Sequence, residues 1–157
     1  MAYIALGANI PSTAGTPAET LLAAVARLRS LGTVTAASSF YTTEPVGYAD
    51  QPMFVNAALA LETELGPEAL LARLLQIESE FGRDRAHGIR NGPRTLDLDL
   101  LIYGGLVLEN ETLQLPHPRM AERLFVLKPL AEIAPELIHP IHRKTVSQLL
   151  KDKSRDC

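Results

Sequence analysis

Apolar residues change their spacing several times along the chain, and each change marks an element. Tyr3 to Leu6 is a short apolar run closed by Gly7, the pattern of a buried strand. Thr16-Pro17-Ala18-Glu19 then supplies a cap, a first-turn proline and a capping-box acid. A helix is predicted from there, with Leu21, Leu22, Val25 and Leu28 at helical spacing and Gly32 as its stop. Thr33 to Tyr41 is mostly β-branched or small with aromatic ends, which predicts a second strand. Thr43 to Pro52 has no period and carries two prolines and Gly47, so it reads as a loop long enough to be functional. Phe54 to Thr63 returns to strand composition. Gly66-Pro67-Glu68 opens a second helix, whose Leu70, Leu74, Ile77 and Phe81 share a face and which Gly82 ends. Thr95 to Tyr103 alternates and runs into Gly104-Gly105, a strand with a hairpin turn. A short apolar helix near Val126 to Ile133 and a last helix near Thr145 to Lys151 complete the reading.

The order of the first six elements is βαββαβ. That is the split βαβ, or ferredoxin-like, arrangement: an α+β sandwich with helices covering one face of a mainly antiparallel sheet. The 157 residues amount to one domain, 1–157, with no repeat or linker to divide it. Hydrophobic residues make up 46% and charged residues 21%, enough apolar content for a core and too little charge for a disordered chain.

The lone cysteine, Cys157, permits no internal disulfide, and no apolar run approaches the ~18 to 20 residues of a membrane span. A cytoplasmic protein is expected, with no membrane partner. A net charge of −3 argues against a protein that coats nucleic acid. Yet Arg83, Arg85, Arg90 and Arg94 stand against the single acid Asp84, so residues 83–94 are locally +3, four minus one. Such a patch on an acidic protein suits a small polyanion.

Residues two apart in a strand project from the same face, which sets Asp97 and Asp99 side by side about 7 Å apart at Cα. Adjacent carboxylates repel unless a cation lies between them, and hard oxygen donors of this kind suit Mg²⁺, which completes its shell with water and substrate phosphates. The plain alternative is a half-exposed strand with leucines inward and acids in water. Three features weigh against it: aspartate is disfavoured in strands, the run after Asp99 is wholly apolar, and Gly92-Pro93-Arg94 stands just before the pair. Neither phosphate-binding glycine motif, G-x-x-x-x-G-K-[ST] or G-x-G-x-x-G, is present, nor H-E-x-x-H, paired cysteines or G-x-S-x-G.

The run Arg90-Asn91-Gly92-Pro93-Arg94-Thr95-Leu96-Asp97-Leu98-Asp99-Leu100-Leu101 resembles the signature of the 6-hydroxymethyl-7,8-dihydropterin pyrophosphokinase family. The resemblance extends to Tyr3 through Asn9, the stretch from Ser39-Phe40-Tyr41 to Asn56-Ala57-Ala58, Gly82 to Arg85, Pro116-His117-Pro118 and Arg123-Leu124-Phe125, thinning after Pro140. It implies a ferredoxin-like enzyme of folate synthesis in which ATP gives its β,γ-diphosphate to the pterin hydroxymethyl oxygen, leaving AMP. Asp97 and Asp99 would hold two Mg²⁺ ions. Arg83, Arg85, Arg94, Leu100, His117 and Arg123 would line the ATP site, with Arg83 and Arg94 on the phosphates. Thr43, Val46, Phe54, Asn56 and Phe125 would form the pterin site, Asn56 as a hydrogen-bond partner and Phe125 stacking with Phe54 or Tyr41. The loops 43–52 and 83–91 would close over the ligands. Asn91 and Pro118 stand where some members carry tryptophan and tyrosine, and Glu44 replaces an often apolar residue. Partners are then two small molecules, with no obligate protein partner, and no residue stands out as a general base.

Two other functions share these features: another two-metal enzyme, such as a nuclease or nucleotidyltransferase, and a ferredoxin-like binding module. An aromatic content of 5%, with no aromatic motif on a strand face, weakens the binding module. Met53 and the leucines of the second helix are assigned to the core. Glu78 is assigned to solvent, off that helix's apolar stripe.

Overall fold

The computed structural model of the chain describes residues 1–44, 52–82 and 94–155. Its elements run β1 (Ala2–Ala8), α1 (Pro17–Leu28), β2 (Thr33–Ala37), β3 (Tyr41–Thr43), β4 (Phe54–Glu62), α2 (Pro67–Glu80), β5 (Asp97–Tyr103), β6 (Leu108–Glu109), β7 (Gln114–Leu115), α3 (Leu124–Ile133) and α4 (Val146–Arg155). Helix α1 starts where its cap says it should. Thr16 accepts from the Glu19 N–H, and the Glu19 carboxylate accepts from the Thr16 N–H, closing both halves of the box.

The main sheet runs β2-β4-β1-β5 with β3 also on β4, and every pairing is antiparallel. This is the ferredoxin-like order, with β4 lying between the two strands that α1 connects. Both faces of the sheet are covered, however. Leu21, Leu28, Leu70, Leu74 and Ile77 of α1 and α2 pack with Ile4, Leu6, Leu59 and Leu98 on one side. On the other, Val126, Leu127 and Leu130 of α3 and Leu149 of α4 pack with Ala58, Leu101 and Ile102. The expectation of helices on one face is thus corrected: the segment after β5 folds back beneath the sheet.

Three further expectations change. The single strand expected over 33–41 is two, because Ala37 pairs with Leu59 and Tyr41 with Asn56, four steps against three. The extra residue is taken up where Ser38 Oγ accepts from the Ala58 N–H and the Ser39 N–H and Oγ both donate to Glu132 of α3. Gly104-Gly105 does turn the chain, with Gly104 at φ 56 and the Leu106 N–H donating to the Tyr103 carbonyl. But among the described residues β5 pairs only with β1. The hairpin is β6–β7, closed by Asn110, whose Oδ1 accepts from Thr112 and Leu113. Met53 is 48% and Leu75 38% exposed, so neither is core.

The largest revision concerns Glu78. Its side chain is 2% exposed, and its carboxylate accepts a 2.7 Å bond from the Leu98 N–H. An edge strand leaves its outward N–H groups without a strand partner, and the face of α2 beside β5 supplies an acceptor.

Candidate active site

Sheet register builds the site floor. Gly7 pairs with Asn56 on one side and Asp97 on the other, and Ala5 likewise with Ala58 and Asp99. Directly paired residues share a face. Rows of small residues in the middle strand therefore separate the amide from the acids and leave a trough. The trough lies on the side of the sheet that carries α3. Its far wall comes from the start of α3 and the 3₁₀ turn Met120–Glu122 before it.

The result is a cavity of about 260 Å³ lined by Gly7, Thr43, Phe54, Asn56, Arg94, Asp97, Asp99, Arg123 and Phe125, and also by Glu44, Arg119 and Glu122. Most of the residues singled out from sequence meet here. Asn56 is buried and its Nδ2 donates to Thr43 Oγ1 at 2.5 Å, which fixes one edge of the amide and leaves further donor and acceptor capacity. Phe54 and Phe125 both line the cavity, whereas the Tyr41 hydroxyl is turned to Glu132 of α3 at 2.6 Å.

Arg94 is anchored by its own backbone. The buried Asn9 accepts from the Arg94 N–H through Oδ1 at 2.8 Å, and the N–H groups of Asn9 and Ile10 donate to the Arg94 carbonyl. The same Asn9 donates through Nδ2 to the Pro52 carbonyl, tying β1 to the chain ahead of both β4 and β5. So held, the Arg94 guanidinium bonds Asp97 Oδ2 at 3.1 Å and stands 5.7 Å from the Phe54 ring centre. Arg123 stands 5.4 Å from the Phe125 ring centre, a cation–π distance.

His117 is placed by a backbone bond from its N–H to the Leu101 carbonyl at 2.8 Å, which also covers part of the outer edge of β5. Its Nδ1 accepts from the Arg119 N–H at 3.2 Å, so the neutral ring carries its proton on Nε2, 4.0 Å from Asp99 Oδ1. Burial, followed by the nearby Arg123, pushes its pKa down to about 4. The ring is therefore neutral at pH 7, and its approach to Asp99 is that of a dipole, not an ion pair.

Leu100 is not brought to the cavity. Its side chain lies in the core beneath α1 and α2, on the face opposite the aspartates. Val46, Arg83 and Arg85, together with most of the two loops expected to close, fall outside the described residues. Sequence reasoning passed over Gly7, Asn9, Arg119 and Glu122 as site residues. For Gly7 a signal existed: a glycine inside an apolar strand marks a close approach. For Asn9 the signal was a polar residue directly behind that strand.

Among the described lining residues four acids, Glu44, Asp97, Asp99 and Glu122, face three cations, Arg94, Arg119 and Arg123. Two same-face carboxylates beside guanidinium groups give hard oxygen donors for a divalent cation and partners for phosphate. The described residues hold no cluster of three or more metal-ligating side chains, so a cation bound here would complete its shell with water and substrate oxygens.

The fold is ferredoxin-like, and its cavity gathers the carboxylates and guanidinium groups that a phosphate-transferring enzyme uses. The profile of the 7,8-dihydro-6-hydroxymethylpterin-pyrophosphokinase (HPPK) family matches residues 3–135, and the chain belongs to that family. It is accordingly a pyrophosphokinase, an enzyme that transfers diphosphate. The 2-amino-4-hydroxy-6-hydroxymethyldihydropteridine pyrophosphokinase of Bacillus subtilis (strain 168) is 50% identical over 139 residues, covering 87% of this chain and 80% of that one. The enzyme of the same name from Haemophilus influenzae is 45% identical over 152 residues, covering 96% and 91%. Among solved structures, wild-type Plasmodium falciparum HPPK-DHPS with pteroate superposes at a TM-score of 0.72 and 15% identity. That match covers 96% of this chain and 42% of the larger one, so the present chain spans about two-fifths of that protein. At such identity the likeness speaks to the fold alone.

Proposed function

We propose that the chain transfers the β,γ-diphosphate of ATP to the hydroxymethyl oxygen of 6-hydroxymethyl-7,8-dihydropterin in folate synthesis, giving AMP and the pterin diphosphate, and that the reaction requires Mg²⁺. The observation that carries this reading is a single cavity with two chemistries. Asp97, Asp99 and Arg94 line it together with Phe54, Asn56, Thr43 and Phe125, and β1 lies between the strand of Asn56 and that of the aspartates.

The pterin is a flat ring with a row of donors and acceptors along one edge. Phe54 and Phe125 offer faces to such a ring, and Asn56 offers an amide oriented by Thr43. Val46 is assigned to the same subsite from the resemblance. The hydroxymethyl arm then points across Gly7 toward the acid pair. Asp97 and Asp99 would hold two Mg²⁺ ions, which supply charge neutralisation and alignment of phosphate oxygens when bound. Arg94 and Arg123, with Arg83 and Arg85 from the neighbouring segment, serve the ATP phosphates. His117 donates from Nε2 to a phosphate or water oxygen, since its Nδ1 is already occupied. Any contact of Leu100 with nucleotide is through its backbone, its side chain being in the core.

In the transfer, the hydroxymethyl oxygen forms a bond to the β-phosphorus, the bond to the α,β-bridging oxygen breaks, and AMP leaves with that oxygen. The hydroxyl proton passes to solvent. Positioning and charge stabilisation dominate a reaction of this type, which fits a cavity rich in guanidinium groups. The substrates are small molecules, with neither nucleic acid nor an obligate protein partner in this reading, and the setting is cytoplasmic. No described helix is long and apolar enough to cross a membrane.

Incubation with ATP, Mg²⁺ and the reduced pterin, with products separated and weighed by mass spectrometry, tests donor and acceptor together. AMP and pterin diphosphate in equal amounts are expected. ADP as product, or AMP released equally well without pterin, would refute the proposal.

A further inference from the structure

Helix α2 brings a carboxylate to the back of the acid pair. Strand β5 is an edge of the sheet, and the N–H of Leu98, the residue between Asp97 and Asp99, donates to Glu78 Oε2 at 2.7 Å. Glu78 is 2% exposed, and Leu74 and Ile77 of the same helix are buried in the core. Taking a carboxylate out of water costs several kcal/mol, which its hydrogen bonds must offset. Any apolar residue would leave the Leu98 N–H without this acceptor. That N–H lies in the peptide plane joining Asp97 to Leu98. Pinning it fixes the rotation of the strand about its axis, and hence the direction in which residues 97 and 99 project into the cavity.

We infer that Glu78 is a positioning residue for the acid pair: by holding the Leu98 amide it sets the spacing of the Asp97 and Asp99 carboxylates and thereby the affinity for divalent cation. The inference rests on the metal reading given above. Groups that orient metal ligands without touching the metal are typically worth about 10- to 100-fold in metal affinity. The Leu98 amide lies across β1 from Asn56, so this role leaves the amide assigned to the pterin in place.

Two conservative variants separate geometry from charge. Glu78→Asp keeps the charge but withdraws the acceptor by one methylene. Glu78→Gln keeps an oxygen at the same reach and loses the charge. Mn²⁺ binding to the complex of the full chain with a non-hydrolysable ATP analogue is measured by electron paramagnetic resonance, and pterin binding by calorimetry. The expected result is Mn²⁺ affinity about 10- to 100-fold weaker in Glu78→Asp, near wild type in Glu78→Gln, and pterin affinity unchanged in both. Weak binding in Glu78→Gln with normal binding in Glu78→Asp would overturn the inference in favour of a field effect. So would unchanged cation affinity in both variants, or a parallel fall of cation and pterin affinity, which would make Glu78 purely structural. Failure of the wild-type complex to bind Mn²⁺ would sink the metal reading and this inference together. Normal wild-type binding with insensitive variants sinks only the second.

Discussion

Replacing Gly7 with alanine probes the trough between the amide and the acids with one methyl group. A Cβ built on Gly7 would lie 3.1 Å from Asn56 Oδ1 and 3.9 Å from the Val55 carbonyl oxygen. The first distance is shorter than an ordinary van der Waals contact, so the amide must give by a few tenths of an ångström. It is not free to do so, because its Nδ2 is held at 2.5 Å by Thr43 Oγ1. Gly7 has no left-handed backbone angle to lose, so the strand itself tolerates alanine and the strain falls on the side chain. Weakening one hydrogen bond and misaiming the amide that reads the ligand edge corresponds to about 1 to 2 kcal/mol. At 1.4 kcal/mol per tenfold, that is roughly 5- to 30-fold in pterin affinity. Calorimetry on Gly7→Ala with the pterin and, separately, with an ATP analogue should show the pterin affinity falling by that factor and the nucleotide affinity holding within about twofold. Unchanged pterin affinity in a folded variant would refute the placement of the ring beside Gly7. Equal losses for both ligands would mean that the methyl group disturbs the sheet, not the subsite.

Asp97→Asn and Asp99→Asn should each lower kcat by about 10² to 10³, a few kcal/mol of transition-state stabilisation at 1.36 kcal/mol per tenfold, while thermal unfolding moves little; activity near wild type would end the metal assignment. Asn56→Ala should weaken pterin binding by about 1 to 3 kcal/mol and leave ATP-analogue binding nearly unchanged, and calorimetry that found neither affected would make Asn56 structural. His139 gives a pH test of the fold away from the site. It is buried, its Nδ1 accepts from the N–H groups of Ile141 and His142, and burial followed by the charge of His142 pushes its pKa down to about 4. Because the folded chain then binds fewer protons than the unfolded one, this contribution to stability is complete above about pH 6.5, declines as pH falls, and levels off below about pH 4. His139→Asn keeps an acceptor and cannot titrate, so urea midpoints measured from pH 7 to 4 should fall less steeply for the variant; parallel curves would contradict the account. His117 titrates in the same window and in the same direction, so only the difference between the two proteins is read.

What the sequence determined by itself was local. The Thr16–Glu19 box, the prolines at the first turns of α1 and α2, and the alternation around Asp97 and Asp99 act over three or four residues, so their consequences could be read directly from their spacing. The order of those elements was enough for the ferredoxin-like sheet, and the long match from Arg90 to Leu101 for the family. Only the tertiary structure decided what each face would meet. Apolar periodicity says that a side of α2 is buried without saying what lies at its margin, and so Glu78, off the stripe, was assigned to solvent until β5 presented an N–H to it. Leu75 and Met53 depart in the opposite direction, being apolar residues that stay exposed. The strand expected over 33–41 was broken by Glu132, more than ninety positions along the chain, bonding Ser39. Arg94 owes its aim to Asn9, eighty-five positions away. Hydrogen bonds at such separations leave no periodic trace, because the chain between their ends serves other elements. They exist only once hydrophobic burial has closed the loop and brought the two groups, already stripped of water, within reach of one another.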